Sequence, residues 1–377
     1  IRDRLYGVQG TGNGHIARAR IMAAALAERD DVSVDFVFTG RAPEKYFDMD
    51  LFGAYQTFTG LSFITKGGRV DKWATVKQAN ISQLLKDAKA FDTSGYDLLV
   101  NDFEPVTAWA AKRQGLPSIS ISHQAAFAYD VPKSGNTIFD ALLMKVFAPT
   151  ELQLGVHWYH FNQPIIPPFV AEKPALTSGN GHVLVYLPFE EIEDIQQMLE
   201  PLSDQVFECF HPNIEDVKES GHIHWHPTSK KHFQKALQHC SGVIANGGFE
   251  LSSEALQLGK KLLIKPLHGQ CEQLSNVLTP NQLDLCQTLF QLDTDIVEEW
   301  LEAPANEAIT YPDNPNILID WRKRRDFSDT QRLCDALWKN VQYGDKTQER
   351  LLRSSAKAFI HICLLYTSPS PRDATLS

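Results

Sequence analysis

Short apolar segments alternate with helix-length segments in the first part of this sequence, and that alternation restricts the fold more than any other feature. Segments with the length and apolar content of buried strands lie at residues 5–9, 34–38, 57–64, 96–100 and 118–122. Segments with helical spacing lie at 16–29, 76–91 and 106–114. Strands and helices in this order predict a parallel sheet covered by helices on both faces.

The alternation restarts after a segment rich in proline. Residues 162–181 contain four prolines and two glycines, a composition typical of a linker. Strand-like segments then follow at 183–187, 206–210, 222–225, 242–245 and 262–266, with helical segments at 230–239 and 251–258. The sequence therefore predicts two doubly wound α/β domains, residues 1–161 and 182–329.

Composition limits the class of protein. The 377 residues are too many for one typical core, and the net charge of −10 argues against a nucleic-acid partner. The six cysteines form no C-x-x-C pair, and no apolar run approaches the roughly 20 residues needed to cross a bilayer. We therefore expect a cytoplasmic protein with at most peripheral contact with the inner face of a membrane. Residues 363–377 resemble translated adapter sequence, and we expect them to be a non-native tail.

A glycine-rich turn follows the first predicted strand, with Gly12 and Gly14 directly before His15. Glycines allow backbone N–H groups to approach a ligand, and the amino end of the following helix favours negative charge. The spacing does not fit the dinucleotide pattern G-x-G-x-x-G. His15 is a candidate base above a cleft between the domains. A capping or packing role for His15 is the alternative.

A second group of polar residues follows the neighbouring predicted strands. Asp102 comes after residues 96–100, where the carboxyl end of a strand in an open α/β sheet lies beside ligands. It could hold His15 in the correct tautomer and stabilise its protonated form. Asp102 could instead cap the next helix. Glu104, His123 and Gln124 belong to the same edge and are candidate residues on the acceptor side.

The strongest pattern lies in the second domain, where a predicted strand turns through Asn246, Gly247 and Gly248 directly into a helix. Backbone N–H groups and the helix dipole at such a turn favour a diphosphate. Glu254 lies about two turns into that helix, within reach of a ribose. The loop after the next strand contains polar groups suited to sugar hydroxyls. Two ordinary strand-to-helix turns are the alternative.

Together these segments resemble the paired signatures of glycosyltransferases related to UDP-glycosyltransferases and to the peptidoglycan enzyme that adds N-acetylglucosamine to lipid I. The resemblance covers residues 5–338. It implies a GT-B fold, in which two Rossmann-like domains face each other across a cleft and a C-terminal helical segment, 330–362, packs back on the first domain. In this sequence the family's usual histidine at the turn is replaced by Asn246.

The resemblance also implies roles for individual residues. Gly247 and Gly248 match the phosphate-binding turn, and Glu254 matches the ribose-binding acid. Gln270 and Gln273 match contacts to the donor sugar. His15 matches the histidine on the acceptor side, and Asp102 resembles its carboxylate partner. Gly12, Gly14 and Asn246 complete the predicted donor-binding set.

These patterns lead to an expected reaction. His15 removes a proton from an acceptor hydroxyl, which displaces the diphosphate of a nucleotide-diphospho-sugar with inversion. Backbone groups at the Gly247–Gly248 turn stabilise the leaving group, so neither a metal nor a cofactor beyond the donor is expected. The acceptor is not identified, and a glycolipid or a cell-envelope glycan is a candidate. A nucleotide-sugar 2-epimerase, which needs carboxylates placed for elimination, and a non-catalytic nucleotide-sugar-binding protein are the alternatives.

Overall fold

The computed structural model describes residues 2–61, 65–66, 69–70, 80–134, 146–171, 181–268, 270–322 and 327–353. Within these residues the chain forms two seven-stranded sheets and one small hairpin. The first sheet has the order β3-β2-β1-β6-β7-β8-β9 and all its pairings are parallel. Its strands are β1 Arg2–Gln9, β2 Val32–Thr39, β3 Tyr55–Phe58, β6 Leu98–Asp102, β7 Ser118–Ser122, β8 Leu152–Val156 and β9 Ile165–Ile166. The hairpin consists of β4 Thr65–Lys66 and β5 Arg69–Val70.

The second sheet has the order β12-β13-β11-β10-β14-β15-β16, and only the edge strand β12 is antiparallel to its neighbour. Its strands are β10 Val183–Tyr186, β11 Phe207–Phe210, β12 Lys218–Ser220, β13 Ile223–His226, β14 Gly242–Asn246, β15 Lys261–Lys265 and β16 Gln287–Thr288. The two predicted α/β units are therefore confirmed. Central strands such as β6 and β14 are buried along their whole length, as their apolar sequences require.

Helices connect the strands in both halves. They are α1 Asn13–Ala27, α2 Ile81–Ala90, α3 Pro105–Gln114, α4 His123–Ala126, α5 Ile192–Leu199, α6 Lys230–His239, α7 Phe249–Gln257, α8 Cys271–Asn276, α9 Leu278–Gln282, α10 Thr294–Glu302, α11 Asn316–Arg322, α12 Thr330–Trp338 and α13 Asp345–Arg353. Among the described residues no helix is both long enough and apolar enough to span a bilayer. The predicted helix at 76–91 lies partly outside the described residues, and its described part is α2.

The proline-rich segment is not a free connection along its whole length. Its residues Ile165 and Ile166 pair with β8 as the edge strand of the first sheet, and both side chains are fully buried. Proline lacks an N–H donor, so a short edge strand is a position where flanking prolines are tolerated. Composition alone therefore overstated the length of the linker, whose residues 172–180 lie outside the described part.

The carboxyl ends of the two sheets face each other. The side chain of Asn13, just after β1, donates to the hydroxyl of Tyr186 at the end of β10, at 3.4 Å. The largest apolar cluster contains residues of both sheets, such as Ile121 and Ile264. Helix α12 lies against β9, where the indole of Trp338 donates to the Ile165 carbonyl at 2.8 Å. The loop after β1 and the loop after β14 are thereby brought to a common boundary.

Candidate active site at the carboxyl ends of the sheets

His15 and Asp102 form a direct pair. His15 is the third residue of α1, and its Nδ1 lies 2.7 Å from Oδ1 of Asp102, the last residue of β6. Asp102 is fully buried, whereas the His15 side chain is 15% exposed. The next residue, Phe103, has a φ of +55°, a left-handed conformation that is strained for a bulky side chain and ends the strand abruptly. With Nδ1 next to Asp102, Nε2 is the ring nitrogen of His15 that is left for other partners.

Arg18 also binds Asp102. It lies one turn after His15, so both side chains project from the same face of α1. Its Nε and Nη2 donate to the two carboxylate oxygens of Asp102 at 2.8 and 2.9 Å, a bidentate arrangement. Burial alone would raise the pKa of Asp102, but the charges of Arg18 and His15 together with their hydrogen bonds hold it below its ordinary value. Asp102 is therefore ionised at neutral pH.

Arg18 also contacts the second half of the molecule. Nη1 of Arg18 donates to Oε1 of Glu250, the second residue of α7, and the two residues are 232 positions apart in sequence. Burial raises the pKa of Glu250 to about 7, although Arg18 opposes the shift. A second carboxylate, Glu272, accepts from Nε2 of Gln124 at 2.8 Å, and burial raises its pKa too. Gln124 Nε2 also lies 3.4 Å from Nε2 of His15.

Sequence reasoning missed Arg18, Glu250 and Glu272. A signal for Arg18 was present, because it is a cation three residues after His15 on the apolar face of an alanine-rich helix. Glu250 could have been noticed as an acid in the first turn of the helix that follows the glycine pair. A signal for Glu272 was also present, because it directly precedes Gln273 in the polar loop after the predicted strand at 262–266.

The turn between β14 and α7 combines one tightly packed glycine and one open glycine. A Cβ on Gly247 would lie 2.9 Å from the carbonyl oxygen of Gln273, so no larger residue fits without movement. A Cβ on Gly248, the N-cap of α7, would approach no described atom closer than the Asn246 carbonyl oxygen at 4.0 Å. No described side chain caps α7, so the N–H groups of its first turn are available to an anion.

Gln273 supports this turn from behind. Its side-chain oxygen accepts from the backbone N–H of Gly247 at 3.1 Å and of Leu267 at 2.9 Å, and the residue is 7% exposed. The side chain of Asn276 donates to the Gly247 carbonyl at 2.8 Å. The Gly247 N–H is already paired, and the Gly248 N–H donates to the Asn246 carbonyl at 2.6 Å, so a diphosphate is left with the N–H groups at the start of α7.

The remaining donor-side candidates lie around that turn. Glu254 is half-buried in α7, accepts from Gln234 at 2.8 Å, and has its pKa raised by burial. Gln270 is half-buried and precedes α8 without a side-chain capping bond to described residues. Asn246 donates to the Lys265 carbonyl at 3.0 Å, next to the buried Lys265–Glu190 ion pair. The predicted roles of Glu254 and Gln270 stay predictions.

The first-half glycines behave differently from each other. Gly12 is the N-cap of α1 and has open space where a Cβ would lie, as far as the described atoms show. A Cβ on Gly14 would lie 3.2 Å from Cγ of Glu250. Gly14 therefore allows α1 and α7 to approach closely, which places it at the contact between the halves.

Two of the three acceptor-side candidates are committed to structural contacts. Glu104 is fully buried and caps α3 by accepting from the N–H groups of Val106 and Thr107 at 2.6 and 2.7 Å. The capping role considered for Asp102 is thus filled by Glu104. His123 is buried between the Val156 carbonyl, at 2.8 Å, and the Asn276 amide, at 2.6 Å. Its ring stacks on Phe249 with centroids 4.0 Å apart.

His123 and Gln124 therefore differ in what they can do. Burial lowers the pKa of His123 to about 4, so this histidine is neutral at physiological pH and joins the halves without facing an acceptor. Gln124 reaches both His15 and Glu272 and is the acceptor-side candidate that lies at the centre of the site. In the described part of the chain, no group of three or more His, Cys, Asp or Glu residues could hold a metal ion.

Comparisons with known proteins agree with this architecture. The model of the family described as Glycosyl transferase family 1 matches residues 3–304. A glycotransferase of kitacinnamycin is similar in structure, with a TM-score of 0.53, 14% identity, and coverage of 90% of this chain and 99% of that chain. UGT2 of Phytolacca americana has a TM-score of 0.54 and 13% identity, with coverage of 93% and 98%.

UGT71G1 of Medicago truncatula has a TM-score of 0.52 and 12% identity, with coverage of 80% of this chain and 89% of that chain. None of the curated proteins matches the sequence significantly. At such low identities the structural similarities establish the fold alone. The predicted GT-B fold, with two Rossmann-like domains, is confirmed.

Proposed function

The chain belongs to glycosyl transferase family 1 and is a glycosyltransferase, and from that premise we propose that it transfers a sugar with inversion from a nucleotide-diphospho-sugar to a hydroxyl acceptor. The observation that carries the proposal is the position of the His15–Asp102 pair next to the uncapped amino end of α7. A proton acceptor and an anion site at one boundary are what a direct displacement needs.

The leaving group would be stabilised on the α7 side. The acceptor oxygen attacks the anomeric carbon, the bond from that carbon to the diphosphate oxygen breaks, and its electron pair stays on the diphosphate. Backbone N–H groups and the dipole at the start of α7 favour this negative charge. The open space at Gly248 allows the close approach that such contacts require. This set of groups supports a reaction that does not depend on a metal.

The acceptor proton would pass to Nε2 of His15. Its Nδ1–H would donate to the ionised Asp102, a tautomer in which Nε2 is the proton acceptor, and the 3.4 Å contact of Gln124 Nε2 with this atom would give way to the acceptor hydroxyl. Arg18 neutralises part of the charge on Asp102, so orientation of the ring is the larger contribution of this carboxylate. A single displacement on the face opposite the leaving group inverts the anomeric centre.

A UDP-sugar is the first donor to test. The Phytolacca protein was solved with UDP-2-fluoro-glucose and the Medicago protein with UDP-glucose. For the acceptor, a glycolipid or a cell-envelope glycan remains our proposal, with at most peripheral contact with a membrane. A nucleic-acid partner is not part of it.

A nucleotide-sugar 2-epimerase is the second candidate. Its chemistry needs carboxylates near the sugar, and Glu250 and Glu272 both lie close to His15 and Arg18. The two functions differ in what happens to a donor supplied alone. An epimerase converts it to its 2-epimer, whereas a transferase leaves the sugar configuration of the unreacted donor unchanged.

Thermal stabilisation by UDP-, GDP- and dTDP-sugars tests the proposal. A ligand that binds only the folded state adds about 2.7 kcal/mol of stability when its concentration is 100 times its Kd. The best donor is then incubated alone and with candidate acceptors, and the products are identified by NMR. Transfer with inverted anomeric configuration supports the proposal. Stabilisation by no nucleotide-sugar, or conversion of the donor to its 2-epimer, contradicts it.

A further inference from the structure

The ion pair between Arg18 and Glu250 has no place in the reaction described above. It connects α1 of the first half to the first turn of α7 in the second, and the two side chains are 4% and 10% exposed. The close approach of Gly14 to Glu250 shows that the two helices pack directly against each other here. The ion pair is therefore part of the packing between the two halves.

Its position creates an electrostatic conflict. Glu250 lies in the same helical turn whose N–H groups are proposed to bind the donor's diphosphate. Two negative groups at one turn repel each other, and in a buried site the interaction is worth several kcal/mol at an effective dielectric constant of about 20. While the site is empty, Arg18 compensates Glu250. Once a diphosphate arrives, one cation faces Asp102, Glu250 and the ligand.

We propose that Glu250 takes up a proton when the diphosphate of the donor occupies the start of α7, so that the charge of Arg18 becomes available to the ligand. The inference rests on the proposed function and names a new residue pair that positions charge in the donor site. The proton comes from solvent and is bound by the carboxylate of Glu250. Glu250 then remains a hydrogen-bond partner of Arg18 without opposing the diphosphate.

The surroundings of Glu250 favour this uptake. The titratable and charged groups that face it are Arg18 and His15 from α1, Tyr6 from β1, Asp102 from β6, and Glu254 from its own helix. Burial already brings the pKa of Glu250 to about 7, so adding a nearby anion raises it through the neutral range.

Calorimetry of donor binding tests the proposal. The probe is whichever of UDP-glucose, GDP-mannose or dTDP-glucose stabilises the wild type most, since phosphodiesters of this kind do not titrate near neutral pH. Binding enthalpies at pH 7.5 in buffers of different ionisation enthalpy give the number of protons taken up. We expect roughly 0.8 proton for a carboxyl with a pKa near 7 that becomes fully protonated. The wild-type affinity should also fall by up to about tenfold per pH unit above pH 7.5.

Two matched variants identify the carboxylate. Glu250→Gln keeps the side-chain shape and leaves Arg18 paired with Asp102, and we expect it to abolish the uptake and flatten the pH dependence. Glu272→Gln removes another carboxyl of the same boundary, a half-buried one that is not on α7, and we expect it to keep both the proton uptake and the pH dependence. Loss of uptake in Glu272→Gln with retention in Glu250→Gln would overturn the proposal.

The remaining outcomes also support or overturn the inference. If Glu250→Gln does not fold, a wild-type donor affinity that stays constant from pH 6 to 9 overturns the inference, and the expected decline supports it. A wild type that binds the donor without proton uptake overturns the inference and leaves the proposed function standing. A wild type that binds no nucleotide-sugar contradicts the proposed function, and the inference with it.

Discussion

The imidazole of His15 and the carboxylate of Asp102 meet at 2.7 Å although 87 positions separate them in the sequence. His15 lies shortly after β1 and Asp102 is the last residue of the neighbouring parallel strand β6, and the carboxyl ends of these strands lie side by side. A histidine held in this way by a buried, ionised partner can accept a proton at Nε2 while Nδ1 stays occupied.

His15→Ala should lower turnover by about 100-fold or more, the scale of a lost general base. Donor affinity should stay within about threefold of wild type, because the anion site lies on α7 in the other half. Transfer rate and donor affinity measured on the same preparation check this. His239→Ala, which alters a half-exposed histidine at the end of α6, is the control. Near-normal transfer by His15→Ala would remove His15 from the mechanism.

Asp102→Asn should give a smaller loss of turnover than His15→Ala, and a loss of stability that His15→Ala does not share. Arg18 would face a neutral amide while remaining buried and would keep only Glu250 as a charged partner, so the loss should stay below the roughly 3–5 kcal/mol of an uncompensated buried charge. Denaturant unfolding and single-turnover kinetics of the folded protein separate the two effects. Equal stability of Asp102→Asn and wild type would mean that Arg18 does not depend on Asp102.

The two glycines before α7 should respond differently to alanine. Gly248→Ala meets open space and an ordinary backbone conformation, and the gain from a less flexible unfolded chain is offset by the poorer N-cap preference of alanine, so the stability of the fold should change by less than about 1 kcal/mol. Its methyl group would nevertheless point to where a diphosphate approaches, and donor affinity should fall about tenfold or more. Gly247→Ala should instead destabilise the fold by about 1–3 kcal/mol, because its methyl group meets Gln273. Melting curves and donor titrations give both quantities, and an unaltered donor affinity in Gly248→Ala would place the diphosphate elsewhere.

Glu254→Ala should weaken donor binding by about 1–3 kcal/mol, the range for hydrogen bonds to a charged group. Glu254 also accepts a hydrogen bond from Gln234 at 2.8 Å. The effect of losing this bond has to be separated from the effect of losing the proposed bond to the ribose. Gln234→Ala is the matched control, and we expect it to bind the donor nearly as wild type does. Calorimetry that finds equal losses in the two variants would assign Glu254 to the helix contact instead.

Alanine variants of Gln273 and Gln270 should distinguish a residue that supports the turn before α7 from one that contacts the donor sugar. Gln273→Ala leaves two buried backbone N–H groups unpaired, so the donor-free protein should lose about 2 kcal/mol of stability or more. Gln270→Ala should keep its stability and bind the intact donor more weakly than wild type while binding the free nucleoside diphosphate equally well. Unfolding curves and paired titrations check both, and an unchanged stability of Gln273→Ala would show that the turn does not rely on it.

The stability of the protein should fall in acid partly through His123. Burial lowers its pKa to about 4 in the folded state, below the value of about 6.5 expected in the unfolded chain. The unfolded state therefore binds more protons between these values, and the contribution present above pH 6.5 is lost as the pH falls toward 4. Relative to His123→Gln, the wild type should lose about 2.5 kcal/mol of unfolding free energy between pH 7 and 4.5. Parallel pH curves for the two proteins would contradict this.

Much of the fold follows from local sequence. Apolar runs of strand length, an alanine-rich helix after β1, and glycines at strand ends depend on residues that are close in the chain. They predicted 118–122 and 230–239 with the bounds that β7 and α6 have in the structure. They did not predict the strand β8, nor that Ile165 and Ile166 form an edge strand within the proline-rich segment.

The sequence by itself determined which residue types lie at the ends of the strands, and hence the expectation that His15, Asp102 and the glycine pair belong to one site. Only the tertiary structure decided that Arg18 joins Asp102 to Glu250, that Gln273 lies behind the turn, and that Glu104 caps α3 in place of Asp102. Spacing along a strand or helix is set by local backbone geometry. Which side chains meet across a boundary depends on how two sheets pack, and that is decided by the burial of apolar surface from the whole chain.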